Sequence, residues 1–313
     1  MRSRIAFALI GLIALMAMGC GAGADPSPAT PDPSPPAEPG QVIVLGDIDS
    51  SEPIKKIKRF GPLADYLAAH LKEFGIDQGN VVIARDIREM GRFLSDGTVD
   101  IYFDSPFPTL AVQELSGSRI VARRWKGGDA NYWSIYITLR DKGISGIEDF
   151  VGKVLAFESP ESTSGFVLPA GTLLEKGFAL KELERPDTRV APGEIGYYFS
   201  DDEENTVALF LGGMVAGGGF SNQDYQGLPE ELMNQITQVG RTIAVPRQLV
   251  SVRPGLDPRL ASRVIELLIG LDQTEEGRLI LENLKKTKKF DVLPADSSAS
   301  LEDLRGLMRL VFP

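Results

Sequence analysis

The sequence predicts a two-lobed α/β protein behind an export signal, and three observations carry that prediction. From Gln41 on, short β-branched runs alternate with amphipathic ones, which is the pattern of strands joined by crossover helices. The pattern restarts near Trp133 after one complete round, so a second unit of the same plan follows the first. A chain of 313 residues, 43% hydrophobic and 24% charged, is long and apolar enough to bury two cores.

The first residues stand outside that globule. Arg2 and Arg4 precede an apolar run from Ile5 to Met18, the charged and hydrophobic regions of a signal peptide and too short for a membrane span. The run closes in "AMGC", which resembles a bacterial lipobox even though Ala17 stands where leucine is usual. Residues 1–20 are therefore expected to be a lipoprotein signal with Cys20 as the lipidated residue. The alternative is an ordinary signal cut elsewhere with an incidental cysteine. With 1 Cys in the chain, no intrachain disulfide forms. Residues 21–40 hold Pro26, Pro28, Pro31, Pro33, Pro35, Pro36 and Pro39 among small and acidic residues. Such a stretch is expected to be an extended, disordered tether, about 60 Å long at roughly 3 Å per residue.

"QVIVLG" (41–46), "NVVIAR" (80–85), "VDIYF" (99–103) and "SRIVARRW" (118–125) read as strands. Leu63, Tyr66, Leu67, Leu71 and Phe74 recur at helical spacing between the first two, and Gly75 ends that helix. "DSPFP" reads as a loop. In the second unit "WSIYITLR" (133–140) is a long strand, "GIEDFVGK" a short helical turn and "VLAF" (154–157) a buried strand. "DTRVA" and "MVAGGGF" (214–220) read as further strands, with "ENTVALFLGG" as the helix between them. "RQLVSVRPG" (247–255) is a long returning strand, and "DPRLASRVIELLIGL" and "TEEGRLILENLKK" are periodic helices. The expected division is lobe 1 over 41–134 and 250–313, lobe 2 over 135–249, and a cleft between them.

The net charge of −10 becomes more negative once a signal carrying Arg2 and Arg4 is removed. That excludes nucleic acid as a partner and argues against polybasic contact with lipid. Any bound anion must then be captured by local geometry.

The segment "VLAFESPESTSGF" has the form such capture takes: a strand, a short loop, then Ser162, Thr163 and Ser164 where a helix begins. Ligands of open α/β sheets collect at the carboxyl ends of strands. A helix start presents unpaired N–H groups and a partial positive charge. Three hydroxyls add donors, and Gly165 permits close backbone approach, so an oxyanion site is expected here without any Lys or Arg. The alternative is that one hydroxyl merely caps the helix. Pro169 removes a helical hydrogen bond further on, so the first turn is expected to be a separate piece.

Other candidates lie at equivalent strand ends. Asp104 and Ser105 in the first lobe, and Ser221, Asn222 and Asp224 in the second, are either ligand contacts or turn and cap residues. Asp201, Asp202, Glu203 and Glu204 either meet an amine or a protonated oxyanion, or form a solvated loop before a helix. Tyr132 and Trp133 open the first crossing strand and line either the cleft or the core. His70, beside an apolar helix stripe, is structural.

"FGPLADYLAAHL", "GTVDIYFDSPFPTLA", "GISGIEDFVGKVLAFESPESTSGFVLPAGTLLEKG" and "VALFLGGMVAGGGFSNQDY" together resemble the phosphate, phosphite and phosphonate binding proteins of ABC importers. The resemblance runs from about Gln41 to about Gly270. It implies the type II periplasmic binding protein fold, a small oxyanion as ligand, a permease in the inner membrane as partner, and Ser162, Thr163 and Ser164 as oxyanion contacts. The family's Gly-Pro-x-Ser-Tyr appears here as Ser105 to Thr109, without the tyrosine. "FSDDEENT" stands where many members carry a histidine. The resemblance thus implies a kept oxyanion pocket and a rewritten substituent pocket.

A catalytic serine at 162 or 164 has no histidine base beside it, and no G-x-S-x-G, H-E-x-x-H or Walker sequence occurs. No enzyme, metal or cofactor is expected. A sensory protein that reports to a membrane receptor kinase through the same clamp is the alternative to transport.

Overall fold

The computed structural model describes residues 40–49 and 52–313. The expected signal, Cys20 and nearly all of the expected tether lie outside them. Among the described residues no helix is long and apolar enough to cross a membrane.

The chain first lays down β1 (Gln41–Ile48), α1 (Pro53–His70), β2 (Ile76–Ala84), α2 (Ile87–Asp96), β3 (Ile101–Asp104), α3 (Pro106–Ser116) and β4 (Arg119–Arg124). It crosses through β5 (Asn131–Tyr132) into β6 (Ser134–Leu139). β7 (Val154–Phe157), α4 (Leu168–Glu175), β8 (Ala179–Glu182), β9 (Glu194–Phe199), α5 (Glu203–Leu211), β10 (Gly217–Ser221), α6 (Asn222–Gln226), α7 (Glu230–Met233) and β11 (Ile236–Arg241) follow. The return runs through β12 (Val245–Pro246) into β13 (Gln248–Val252). The chain then ends with α8 (Pro258–Gly270), α9 (Glu275–Asn283), β14 (Phe290–Asp291) and α10 (Ser297–Val311).

These strands form two six-stranded sheets, ordered β14-β4-β13-β3-β1-β2 and β11-β6-β10-β7-β9-β8, joined by the β12-β5 ribbon. β1 runs parallel to β2 and β3, and β7 parallel to β10 and β9, as crossover helices require. Each crossing strand enters its new sheet antiparallel and near the middle: β6 beside β10, β13 between β3 and β4. Both crossings are therefore anchored in sheet interiors, with Tyr132 opposite Val245 in the ribbon between them.

Three local expectations change. "DSPFP" is no loop: Pro106 opens α3 at a first-turn position, where a missing N–H costs nothing. "DTRVA" is no strand; it lies in the connection before β9, because Pro186 and Pro192 bracket too short a run. Gln248 and Leu249 pair in the first sheet, so the return comes earlier than sequence order suggested. Helix α10, grouped with the first lobe by that order, packs Leu301, Leu304 and Leu307 into the core that holds Leu168 and Leu173 of α4. The sequence near 297–311 shows only an amphipathic face; which core receives it depends on where the chain returns. His70 is structural, its ring tilted by 35° against that of Tyr66 at 4.3 Å and its Nδ1 2.8 Å from the Tyr66 carbonyl oxygen.

Candidate functional site

The carboxyl ends of β3, β7 and β10 converge where the two sheets face each other, and a cavity of about 230 Å³ opens between them. Ser105, Tyr132, Ser162, Thr163, Ser164 and Asp224 all line it.

The turn after β7 is built by its own side chains. Ser162 caps it: its Oγ accepts from Gly165 N at 2.9 Å and donates to Glu158 Oε2 at 2.6 Å. Val167 N reaches back to Ser162 O at 3.0 Å, a spacing of five residues that makes residues 163–167 a single π-type turn before α4 begins. Pro169, inside the first turn of α4, favours this break because it has no N–H to donate. Gly165 is required by packing rather than by ligand approach: a Cβ there would lie 2.5 Å from Glu158 Cβ and 2.8 Å from Ser162 Oγ.

The three hydroxyls therefore differ. Thr163, fully buried, accepts from Phe107 N at 3.0 Å and donates to Ser105 Oγ at 3.1 Å. Its hydrogen ties the turn to the first lobe. Ser164 accepts from Ser134 through its carbonyl at 2.6 Å, while its half-buried hydroxyl bonds no other described residue and faces the cavity. The amides of Thr163 and Ser164, in the first turn, have no acceptor within the turn.

The expectation of a site without Lys or Arg is overturned. Lys56, Lys126 and Arg247 line the same cavity. Arg247 lies over the Tyr132 ring, 4.2 Å from its centre, and its Nε donates to Gln223 Oε1. Its two terminal nitrogens bond no other described residue. Lys126 has neither ion pair nor side-chain hydrogen bond among the described residues. Burial first, then Arg247 and Arg124, lowers its ammonium to about 7. Lys56 pairs with Asp47 at 2.8 Å. Burial opposes its charge, but Asp47 and Asp104 outweigh that and raise its pKa. Sequence reasoning passed over these cations, of which Lys56 lies in the first turn of α1, Lys126 in the connection after β4 and Arg247 between β12 and β13. The usable signal is that Lys126 and Arg247 flank the two crossings.

Carboxylates face the cations. Glu203 reaches into the cavity from the first turn of α5. Desolvation of its carboxyl by the surrounding cleft, then Asp224 and Glu158, pushes it up to about 8, although the residue as a whole is exposed. Asp104 accepts from Tyr102 Oη at 2.8 Å and Ser105 N at 2.6 Å. Burial and Asp47 raise it to about 6. Glu158, which sequence reasoning did not single out, is also raised, by burial above all. Asp224 is held by Ser221, the cap of α6. Asp202 caps α5 by accepting from Asn205 N at 2.6 Å and does not line the cavity. Nor does Asn222, which exchanges hydrogen bonds with the backbone of Trp133 at 3.0 Å and secures β10 to the crossing strand.

A fully buried donor in the cavity wall is also unmatched. The Tyr132 hydroxyl is buried beside Thr163 yet makes no hydrogen bond of sound geometry. A buried hydroxyl left unpaired costs about 1–3 kcal/mol, so a ligand atom that accepts from it recovers that cost. Ser164, Tyr132, Arg247 and Lys126 form a convergent set of unused donors.

Residues 48–305 match the family described as the periplasmic substrate-binding protein of phosphonate ABC transporters. The phosphate-import protein PhnD of Mycolicibacterium smegmatis is 30% identical over 129 residues, a stretch spanning 40% of this chain and 39% of that protein. XAC2383 from Xanthomonas citri, solved with chloride, superposes with a TM-score of 0.81 at 28% identity, covering 86% of this chain and 98% of that one. The same protein solved with ATP gives 0.81 at 27% identity, with 87% and 98% covered. PhnD1 from Prochlorococcus marinus, in complex with methylphosphonate, shares the fold at a TM-score of 0.64 and 14% identity, with 86% and 98% covered. Two α/β lobes, two crossings and a match over most of its length make this chain a member of the periplasmic substrate-binding family of phosphonate ABC transporters, with the type II periplasmic binding protein fold.

Proposed function

We propose that the protein is the solute-binding component of an ABC importer and takes a small phosphorus oxyanion, phosphate, phosphite or a phosphonate, into the cleft by lobe closure. The observation that carries this reading is the convergence of unused donors, the Ser164 and Tyr132 hydroxyls with the Arg247 and Lys126 cations, on one cavity at the strand ends. Charge-assisted hydrogen bonds from such donors to an oxyanion are about twice as strong as neutral ones. The Xanthomonas protein has been solved with two different anions, and the mycobacterial relative is a phosphate-import protein; both support an anionic ligand. Ligand bridging between Ser164 in one lobe and Lys126 in the other favours the closed state by its differential contacts. A membrane permease then receives the closed form, and Cys20 carries the lipid that keeps the protein at the membrane.

Calorimetric titration with phosphate, phosphite, methylphosphonate, 2-aminoethylphosphonate and sulfate tests the reading. Saturable binding of one or more phosphorus oxyanions with rejection of sulfate supports it. No binding to any of the five removes it.

A further inference from the structure

Beside the main cleft the first lobe holds a second, smaller cavity of about 160 Å³. The two share Lys56 and Lys126 as a common wall. Two carboxylates, Asp49 and Glu52, line the smaller one, Asp49 accepting from Glu52 N at 2.7 Å; Lys55 pairs with Glu52 and Lys56 with Asp47, each at 2.8 Å. Arg59, Lys126 and Lys285 have no ion pair and no side-chain hydrogen bond among the described residues.

Backbone geometry holds these cations in place. Lys285 and Lys286 adopt φ of 55° and 50°, a left-handed conformation that residues with a Cβ rarely take, let alone in succession. The turn they form is laced to the turn bearing Lys126: Gly127 N donates to Lys285 O at 3.3 Å, Lys288 N to Trp125 O at 3.0 Å and Trp125 N to Lys289 O at 3.0 Å. Two lysines from distant parts of the chain are thereby brought against Arg59 of α1, in a protein whose net charge is −10. Their mutual repulsion is visible in Lys285, whose charge is disfavoured by burial, then by Arg59 and Lys55.

We propose that this annex is a second oxyanion subsite, so that the ligand best fitted to the protein carries two oxyanionic groups on a short linker, of the diphosphate or diphosphonate class. The inference rests on the reading of the main cleft as an oxyanion site. One group meets Ser164, Tyr132 and Arg247; the other is taken by Arg59 and Lys285; Lys126, in the shared wall, serves both. A ligand with a single phosphoryl group leaves Arg59 and Lys285 unmatched, whereas a second one removes their repulsion and forms charge-assisted hydrogen bonds in a partly desolvated space.

The test is titration calorimetry of the full chain with phosphate, methylphosphonate, inorganic pyrophosphate and methylenediphosphonate. The paired variant is Arg59→Gln/Lys285→Asn, asparagine being chosen because it tolerates positive φ. Lys285→Asn alone serves if the double variant melts differently from the native protein. Pyrophosphate and methylenediphosphonate are expected to bind at least tenfold more tightly than the single-group ligands. That advantage should fall at least fivefold in the variant, while phosphate affinity changes less than threefold. If phosphate binds but pyrophosphate binds no better, or if the advantage survives both substitutions, the annex proposal is wrong and the main-cleft reading stands. If none of the four binds the native protein, both are wrong.

Discussion

The amide of Phe107, in the first lobe, donates to the side-chain oxygen of Thr163, in the second, across 3.0 Å in a buried contact. The hydroxyl turn is thus part of the joint between lobes as well as the wall of the cleft. Thr163→Ala leaves the Phe107 amide unpaired and is expected to destabilise the fold by about 1–3 kcal/mol, with Thr163→Ser restoring most of it. Ser164→Ala removes a hydroxyl that nothing else in the described protein uses, so it should leave the melting curve unchanged and weaken oxyanion binding about five- to tenfold. Denaturant titration and calorimetry on the three variants separate these roles.

Tyr132→Phe is expected to split stability from affinity. Deleting a buried hydroxyl that lacks a partner stabilises the ligand-free protein or leaves it unchanged. The same deletion removes a ligand donor, so binding should weaken about tenfold, equivalent to about 1.4 kcal/mol. A variant that loses stability and keeps its affinity would place the hydroxyl outside the site.

Oxyanion affinity should fall as pH rises from about 6 to 9. Glu203, raised to about 8 by burial and by Asp224 and Glu158, acquires its negative charge in that range, and Lys126, lowered to about 7, loses its positive one. Both changes oppose an anion. Glu203→Gln should bind more tightly than the native chain at pH 9 and equally at pH 6, a comparison in which the ligand's own ionisation cancels. Because the folded carboxyl holds its proton above the ordinary 4.5, Glu203 also makes stability fall as pH rises from about 4.5 to 8. Melts of Glu203→Gln should show a weaker fall over that window.

Phe312 stacks on Phe107 at 5.3 Å and 12° and meets Phe166 edge-on at 6.2 Å and 73°. It therefore joins α3 to the hydroxyl turn from behind. Such aromatic pairs contribute about 0.5–1.5 kcal/mol each. Phe312→Ala should speed ligand release several-fold in stopped-flow displacement, with little change in the association rate.

Cys20→Ser should move the protein from the membrane pellet to the soluble fraction. Retention in the pellet would remove Cys20 as the anchor.

Strands such as β1, β6 and β7, helices such as α1 and the hydroxyl turn after β7 are legible in the sequence because each is set by near neighbours. Alternation marks β1 and β7, helical spacing marks α1, and the Ser162 cap lies three residues from the amide it accepts. Even the break at Pro169 follows from one missing N–H. The site's charges were not legible in the same way. Lys126 and Arg247 stand far apart in irregular connections, and no local pattern distinguishes a cation facing a cleft from one facing water. The pairing of β5 with β12, which fixes where both crossings run, brings Arg247 over Tyr132 and leaves both cations lining one cavity. The same holds for the three hydroxyls, alike in sequence but separated in role by partners such as Phe107 and Ser105, 56 and 58 residues away from Thr163. Local spacing determines which elements form, whereas a side chain's burial and hydrogen-bond partners depend on distant segments and so are decided only when the two lobes meet.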